Sequence, residues 1–282
     1  MQTHAAEFSV HKMAEVLQVS VSGYYAWRGQ PASAWTQANH ALVEQIQSIH
    51  QASRQSYSSP RIHAELAATG HTASKNRVAK LMKMHEIRAA RRPKRKKPPR
   101  VTTPTRWPPT CSTGSSRPSG PTKNGGDITY SWTAEGWLYL AVVLDLFSRR
   151  IVGWAMADTL ESDLVERAFA MAVQRRKPHA ALLHHSDRGS QYAAHPYRQL
   201  LENYPVTGSM SRRGNCYDNA PMESFFSSLK CEQVHRQRYQ TRAEARNDIF
   251  SYIEVFYNRK RRHSSLGYVS PEEFELQLQP LA

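Results

Sequence analysis

The succession of strand-like and helix-like segments that begins at Asp127 limits the fold of this chain more than any other feature. Three strand-like runs follow in close succession, DITYSW, GWLYLAVVLDL and IVGWAMA, with FSRR as a turn between the last two. Their spacing predicts an antiparallel meander. Helical and strand patterns then alternate through ESDLVERAFAMAVQRR, ALLHHS, HPYRQLLENY and PVTGSMS, before the helices APMESFFSSLKCE and TRAEARNDIFSYIEVFYN. The second half of the chain is therefore predicted to be an α/β domain.

Helical patterns dominate before this point. Residues 9–27 predict two short helices with helix-turn-helix spacing, and Met13, Val16 and Leu17 share one face of the first. A plain helical hairpin would give the same pattern. Residues 38–87 are predicted to be helical as well.

The last helix of this region, within TASKNRVAKLMKMHEI, has a basic outer face. Val78, Leu81 and Met82 fall on its inner side. The residues left for the outer side are Lys75, Arg77, Lys80 and Lys83. Such a helix suits the recognition helix of a DNA-binding bundle, although a solvated charged face has the same composition.

Positive charge is concentrated in the first part of the chain. The 282 residues carry a net charge of +15 at pH 7, and residues 1–126 contribute +14 of it. Residues 88–100 hold eight Arg and Lys and three Pro, so this segment cannot pack into a core. A basic part joined to a nearly neutral one suggests an arm that binds a polyanion, with an ordinary basic surface as the alternative.

Composition argues against several other classes of protein. The three cysteines, Cys111, Cys216 and Cys231, have no CxxC spacing, which argues against a disulfide scaffold and a zinc ribbon. No set of His and Cys has zinc-finger spacing, and there is no apolar run of membrane length and no signal peptide. We therefore expect a soluble protein of a reducing compartment, the cytoplasm, without membrane partners.

Three acidic residues stand where a catalytic role competes with a structural one. Asp127 begins or lies within the first strand, although Asp is depleted in strands. Asp187 directly follows a buried strand, where α/β sheets place their sites. Glu223 lies one turn into a helix, and 35 residues separate it from Asp187. Taken singly, the three would be a strand cap, a turn residue and a solvated helix residue.

Three carboxylates that converge on one point repel each other unless cations neutralise them. Hard oxygen ligands without His or Cys select Mg²⁺ or Mn²⁺. Two such ions about 3.5–4 Å apart can activate a water or a 3′-hydroxyl and stabilise the leaving oxygen of a phosphodiester. The three positions together therefore predict a site with two metal ions.

Four segments resemble a known family: GDITY…GWLYLAVVLDLFSRRIVGWAM, HSDRGSQY, SMSRRGNCYDNAPMESFFSSLK and FYNRKRRHSSLGY. They resemble insertion-sequence transposases of the IS-three family, and within it the second-reading-frame product with a retroviral-integrase-like core. RIHAEL…SKNRVAKLM is similar to the helical DNA-binding domain that precedes that core. The resemblance covers nearly the whole chain.

The resemblance implies a ribonuclease-H-like fold, in which helices flank a five-stranded mixed sheet. It also implies a D-D-35-E metal triad, here Asp127, Asp187 and Glu223, that holds Mg²⁺ or Mn²⁺. The implied reaction is hydrolysis at the transposon end, followed by attack of the freed 3′-hydroxyl on a new phosphodiester, without a covalent enzyme intermediate. Implied partners are double-stranded DNA of the transposon ends and target, further copies of the chain, and a first-frame helix-turn-helix protein or a fusion to it. Such a protein would be associated with the nucleoid.

Other basic residues are candidates for phosphate contacts. Lys230 lies two helical turns after Glu223 on the same face, where it would meet donor DNA near the cleaved end. The remaining candidates are Arg212 and Arg213 in a loop, and Arg259, Lys260, Arg261 and Arg262. Solvated surface charge is the alternative for each of them.

The segment before Asp127 departs from the family pattern. The family carries an Arg-Phe segment and then a Trp a few residues before the first Asp, whereas this chain has Pro, Ser, Gly and Thr. If Thr110–Gly125 is back-translated and each codon starts one base early, the codons can spell LLDRQFTAQRPNQKW, which is similar to the family segment. We interpret the stretch as translated out of frame between compensating indels near residues 103–107 and 125–126. A divergent linker is the alternative.

The expected organisation has four parts. A short helix-turn-helix-like segment (1–35) precedes a helical DNA-binding domain (36–90), a basic and then Pro/Gly/Ser-rich linker (91–125, anomalous from 104), and an integrase-type catalytic core (126–278). We expect a DNA transposase. A catalytically impaired DNA-binding remnant and a metal-dependent nuclease without strand transfer are the alternatives. The intact carboxylates favour the enzyme, and the anomalous segment favours the remnant.

Overall fold

The computed structural model of the protein describes residues 1–30, 33–90, 123–178, 182–187, 189–210 and 220–278. The chain divides into two compact units, residues 1–47 and residues 48–282. This division falls inside helix α3 (Ala34–Ala52), away from the limits expected near residues 35 and 90. The domain limits drawn from the sequence stay predictions.

The first unit is helical, as the sequence predicts. Helix α1 (Val10–Val16) and helix α2 (Val21–Gly29) precede α3. Ser9 and Ser20 cap α1 and α2, because each side chain accepts a hydrogen bond from a backbone N–H in the first turn.

The expected apolar face of α1 does not form a core in this structure. Val16 and Leu17 are 77 % and 57 % exposed, whereas Ala14 is the buried residue of the helix. Spacing along a helix fixes which residues share a face, but it does not supply a surface against which that face can pack.

The second unit begins with the end of α3 and with helices α4 (Ser59–Ala68) and α5 (Lys75–Met84). Pro60 lies in the first turn of α4, and Ser74 caps α5. The inward face predicted for α5 is confirmed, because Val78, Leu81 and Met82 are all buried. On the opposite side Lys75, Lys80 and Lys83 are exposed and Arg77 is half-buried.

A five-stranded mixed sheet forms the centre of the second unit. Its strands are β1 (Lys123–Thr133), β2 (Gly136–Asp145), β3 (Ile151–Ala157), β4 (Leu182–Ser186) and β5 (Val206–Met210). Their spatial order is β3-β2-β1-β4-β5. The first three strands pair antiparallel, which confirms the predicted meander, and β4 pairs parallel to both β1 and β5.

Helices α6 (Ser162–Arg176), α7 (Ser190–Ala193) and α8 (His195–Glu202) follow in the chain. The core between the sheet and α6 includes Phe169, which is fully buried. Gly153 of β3 permits the close approach of α6, since a Cβ at this position would lie 2.1 Å from the carbonyl oxygen of Ala168.

The remaining helices are α9 (Ala220–Glu232), α10 (Arg242–Phe250) and α11 (Pro271–Leu278), and a π-helical segment, Ser251–Tyr257, continues α10. Thr241 caps α10 by accepting the backbone N–H of Glu244 at 3.1 Å. The Glu244 carboxylate accepts the N–H of Gln240 at 2.9 Å, which forms a capping box that closes one residue earlier than its usual form.

Strand β1 begins four residues before Asp127, so this aspartate lies within the strand. Residues 123–126 pair with β2 on one side and with β4 on the other. Gly125 and Gly126 are therefore part of the sheet, and a Cβ at Gly126 would lie 3.0 Å from the ring of His184. These two residues are held on both sides, despite the backbone freedom of glycine.

Restoring the inferred reading frame should stabilise the protein. If LLDRQFTAQRPNQKW and one small residue replace residues 110–125, the Trp falls at position 124. Asn124 is only 5 % exposed there and bonds to His184 at 2.6 Å. Burial of an indole contributes about 1.5–3 kcal/mol or more, against about 1–3 kcal/mol for leaving the buried Nδ1 of His184 without its partner.

We expect the restored chain to have a higher melting temperature and faster strand transfer than the present one. Asn124→Trp alone is the control, because it tests whether the rest of the segment is needed. A restored chain that is neither more stable nor more active would mean that residues 104–125 are a divergent linker.

Candidate active site

Two of the three predicted carboxylates lie where strands β1 and β4 run side by side. The parallel register of these strands pairs Gly126 with Ser186, and Asp127 and Asp187 are the next residues of the two segments. Neighbouring strands lie about 4.8 Å apart, so this register brings the two aspartates next to each other.

Charge effects on Tyr192 support this proximity. Burial is the largest cause that raises the pKa of Tyr192, and the negative charges of both Asp127 and Asp187 raise it further. Both carboxylates also accept local backbone hydrogen bonds: Asp127 from Ile128 at 2.7 Å, and Asp187 from Gly189 at 2.9 Å. The hydroxyl of Tyr192 is therefore near the two acids and holds its proton.

Glu223 lies in the first turn of α9, as predicted, and its side chain is exposed. The preceding residue, Met222, is fully buried and faces β1, where a Cβ on Gly125 would lie 3.4 Å from its Cγ. Packing of Met222 thus fixes the first turn of α9 against the strand that carries Asp127. Within the described part of the chain, no group of three or more His, Cys, Asp or Glu side chains is close enough to hold an ion.

Lys230 lies near the first aspartate. Its Nζ is 5.1 Å from the centroid of the Tyr130 ring. Burial lowers the pKa of Lys230, and the negative charge of Asp127 opposes that shift. The expected placement of this lysine beside the carboxylates is therefore consistent with the structure, and its contact with DNA remains a prediction.

A buried polar chain beside the aspartates was not predicted from the sequence. Nδ1 of His184 lies 2.6 Å from the side-chain oxygen of Asn124, and its Nε2 lies 2.6 Å from the Tyr197 hydroxyl. Burial lowers the pKa of His184 to about 3, so the imidazole is neutral. A neutral ring can donate to Asn124 and accept from Tyr197, which satisfies all three groups. The sequence clue was a His inside an otherwise buried strand.

The basic run at residues 259–262 does not present four free cations, contrary to expectation. Arg261 is 3 % exposed and bonds to Glu232 through two nitrogens, at 2.8 and 2.6 Å. Arg262 pairs with Glu65 of α4. Arg261 is therefore not an exposed phosphate ligand, and its role in the structure is to neutralise a buried carboxylate.

The other two basic residues of this run are exposed. Arg259 lies 3.6 Å from Glu272, with its side chain 62 % exposed, and Lys260 is exposed as well. Both remain candidates for phosphate contacts, together with the basic face of α5. Arg212 and Arg213 lie outside the described residues.

Contacts between α4, the loop after α3 and the core were also not foreseen. The Tyr57 hydroxyl donates to the carbonyl of Lys260 at 3.0 Å and accepts the N–H of Arg262 at 2.7 Å. The guanidinium of Arg54 donates to Ser251 at 2.9 Å and also bonds to Gln233. These bonds tie the helical DNA-binding part of the second unit to the catalytic part.

Comparisons with known families agree with this organisation. The profile described as Integrase core domain matches residues 121–216, and a second profile with the same description matches residues 223–278. The profile described as HTH-like domain matches residues 37–95. The HTH-like match includes α5, and the first core match includes both aspartates.

Two relatives are similar over almost the whole chain. "Insertion element IS600 uncharacterized 31 kDa protein" of Shigella sonnei is 41 % identical over 267 residues, which cover 93 % of this chain and 97 % of the relative. "Transposase InsF for insertion sequence IS3A" of Escherichia coli (strain K12) is 40 % identical over 281 residues, 98 % of this chain and 96 % of the relative.

Solved structures match this chain at low sequence identity. The simian T-cell lymphotropic virus intasome in complex with PP2A regulatory subunit B56 gamma matches with a TM-score of 0.51 and 14 % identity, over 80 % of this chain and 77 % of that one. The catalytic core domain of BIV integrase matches with a TM-score of 0.43 and 19 % identity, over 56 % and 95 %.

Proposed function

Because this chain belongs to the IS3 family of transposases, we propose that Asp127, Asp187 and Glu223 bind the divalent metal ions of its DNA cleavage and strand-transfer reactions. The observation that carries the proposal is the parallel register of β1 and β4, which brings the two aspartates side by side. The protein is a DNA transposase with a polynucleotidyl transferase core of the DDE class.

The donor set fits a hard divalent cation. Carboxylate oxygens without His or Cys suit Mg²⁺ or Mn²⁺, and the aspartates are in place to share one ion. Glu223 would join them by rotation of its exposed side chain from the first turn of α9. When bound, the ions would supply Lewis-acid activation of the attacking oxygen and charge neutralisation at the leaving oxygen.

The chain's own residues would position the DNA at this site. Lys230 lies over the ring of Tyr130 and within the electrostatic reach of Asp127, where an ammonium group can contact a phosphate next to the reacting bond. The neutral chain of Asn124, His184 and Tyr197 would hold β4 and the segment after it in place beneath the aspartates. Phosphate contacts of this kind fix the register of the duplex.

The basic face of α5 would bind the transposon end. Lys75, Lys80 and Lys83 are exposed on a helix whose other side is buried, and Arg77 is half-buried beside them. The match to an HTH-like domain supports this assignment. Members of the family bind DNA and work as oligomers, and we propose that this chain binds both transposon ends and target as a homo-oligomer. No helix among the described residues is long and apolar enough to cross a membrane.

The function is tested by strand transfer from a pre-cut end. A duplex that carries the transposon end with a free 3′-hydroxyl is incubated with the protein, plasmid target and Mg²⁺. We expect covalent joining of the end to the target. Nicking of the target without joining would instead identify a metal-dependent nuclease.

A DNA-binding remnant without activity is not favoured, because the similarity to InsF extends over 98 % of the chain. The same assay decides this for the present copy. End binding without cleavage or joining in Mg²⁺ or Mn²⁺ would mark a remnant.

Residues 88–100 are expected to supply a large part of the DNA affinity, although most of them lie outside the described residues. Each phosphate neutralised adds roughly 0.9 to the slope of log affinity against log salt. Replacing the eight Arg and Lys of this segment with Gln should therefore flatten the slope by several units. Binding of an end duplex across a salt titration measures it, and an unchanged slope would make the segment a tether only.

A further inference from the structure

A cavity of about 350 Å³ lies within the second unit beside the first turns of α9. It is lined by α4, by the turn between β2 and β3, by α9 and by the segment after Arg261. The polar groups that carry the argument are Arg61, Arg149, Arg261, His263, Ser224 and Ser264.

The cavity holds an excess of positive charge. None of the described residues that line it is acidic, and the charge of Arg261 is matched by Glu232 behind it. The guanidinium of Arg61 lies 5.8 Å from the centroid of the Tyr57 ring and forms no hydrogen bond or ion pair with a described residue. A partly buried guanidinium without an acceptor is costly, and an anion in the cavity would supply one.

The electrostatic effects inside the cavity agree with this excess. Burial lowers the pKa of Arg61 and the charge of Arg261 lowers it further, with the negative charge of Glu232 as an opposing effect. Burial, followed by the charges of Arg261, Arg61 and Arg149, lowers the pKa of His263 to about 2. Burial and the charges of three guanidiniums thus keep one imidazole neutral.

We propose that this cavity binds a phosphate group of the DNA backbone. Arg61 and Arg149 would contribute charge, and the hydroxyls of Ser224 and Ser264 would donate hydrogen bonds to the phosphate oxygens. The N-terminal turn of α9 also lines the cavity, and its dipole favours an anion. This proposal rests on the function proposed above, because it takes the ligand to be DNA.

The cavity is separate from the site of the carboxylates. Pro221, Ser224 and Ser228 line it, and their spacing of three and four residues places them on one face of α9. Glu223 and Lys230 fall on a different face of the same helix. The bound phosphate would therefore be a neighbour along the strand and not the reacting one, and it would hold the DNA against both sides of α9.

The first test measures binding of a transposon-end duplex across a salt titration without divalent metal, so that it does not depend on catalysis. Arg61→Gln is expected to weaken binding several-fold and to lower the salt slope by roughly 0.9. Arg61→Lys keeps the charge and should retain the slope. Arg167→Gln is the matched control, because it removes one arginine of an exposed pair on α6 and should change neither quantity.

A second variant guards against misfolding at Arg61. Ser264 is exposed at the rim of the cavity, so Ser264→Asp adds a negative charge there without disturbing the core. Like Arg61→Gln, this variant should weaken binding of the transposon-end duplex and reduce the dependence of its affinity on salt. Normal thermal unfolding of each variant confirms that it is folded.

A free anion is the competing ligand. Inorganic phosphate, compared with chloride at equal ionic strength, is tested for a rise in melting temperature that Arg61→Gln abolishes. If phosphate raises the melting temperature in this way but Arg61→Gln leaves the salt slope of DNA binding unchanged, the cavity is a site for a small anion and the proposal is overturned. An unchanged slope without any effect of phosphate would overturn it as well. If the wild-type chain shows no strand transfer but the variants change DNA binding as predicted, the proposed function fails and the phosphate site stands.

Discussion

Asp127→Asn is expected to reduce Mg²⁺-dependent cleavage of a transposon-end duplex by a hundredfold or more, while its affinity for the duplex is unchanged. Loss of groups that only orient metal ligands typically costs about 10–100-fold, so loss of a ligand should cost at least as much. Asp187→Asn and Glu223→Gln should behave alike. DNA affinity should persist, because phosphate contacts come from the basic residues.

Two isosteric controls make this result specific. Asp158 directly follows β3 and Glu202 is the last residue of α8, and both are exposed, so Asp158→Asn and Glu202→Gln remove the same charges on other elements. Both should cleave at the normal rate. Near-normal cleavage by any one of the three site variants would remove that residue from the metal site.

Glu232→Gln is expected to lower the free energy of unfolding by about 3–5 kcal/mol. The change leaves the guanidinium of Arg261 buried without a counter-ion, and breaking a buried pair costs this much. The carboxylate also accepts the hydroxyl of Tyr252 at 2.8 Å, so a second buried donor is disturbed. Urea denaturation followed by tryptophan fluorescence measures the change.

An exposed pair of similar length is the control. Arg167 and Asp163 lie 2.8 Å apart, but their side chains are 51 % and 66 % exposed. Asp163→Asn should therefore cost less than about 1 kcal/mol. Equal losses for the two variants would show that burial of Glu232 and Arg261 does not set the strength of their pair.

The stability from Glu232 should depend on pH. Burial alone would raise the pKa of Glu232, but the charge and hydrogen bonds of Arg261 lower it below its usual 4.5. A lowered pKa in the folded state means that the pair stabilises the protein above pH 4.5 and loses this effect as pH falls through the folded-state pKa. The difference in stability between the wild type and Glu232→Gln should therefore shrink in acid.

The sheet and its helices were largely predictable, because period-two and helical patterns survive wherever one face is buried. The start of β1 was not, since Lys123, Asn124 and two glycines carry no strand pattern. Their place in the sheet comes from pairing with β2 and β4 on both sides, which is a property of the tertiary fold. The short helix α7 was missed for a related reason: its four residues make about one helical turn, which is too short to show a helical repeat of apolar residues.

The site was predicted in part. The order of strand and helix patterns placed Asp127 and Asp187 at the ends of neighbouring segments, and the register agrees. Arg261 was misinterpreted as a phosphate ligand, because its partner Glu232 lies 29 residues earlier and only the fold brings the two together. Whether a charge faces solvent or another charge is not encoded in local spacing.

The bonds of Tyr57, Arg54 and Arg262 have a consequence for where the transposase cuts. They fasten α4 and the loop before it to the catalytic part, and α5 packs against α4. Helix α5, which we propose binds the transposon end, therefore keeps a set place relative to the aspartates. The distance between the DNA-binding helix and the aspartates would then be fixed by these contacts. That distance would set the number of base pairs between the bound sequence and the cleaved bond. A change in the length of the segment between α5 and β1 should leave that count as it is.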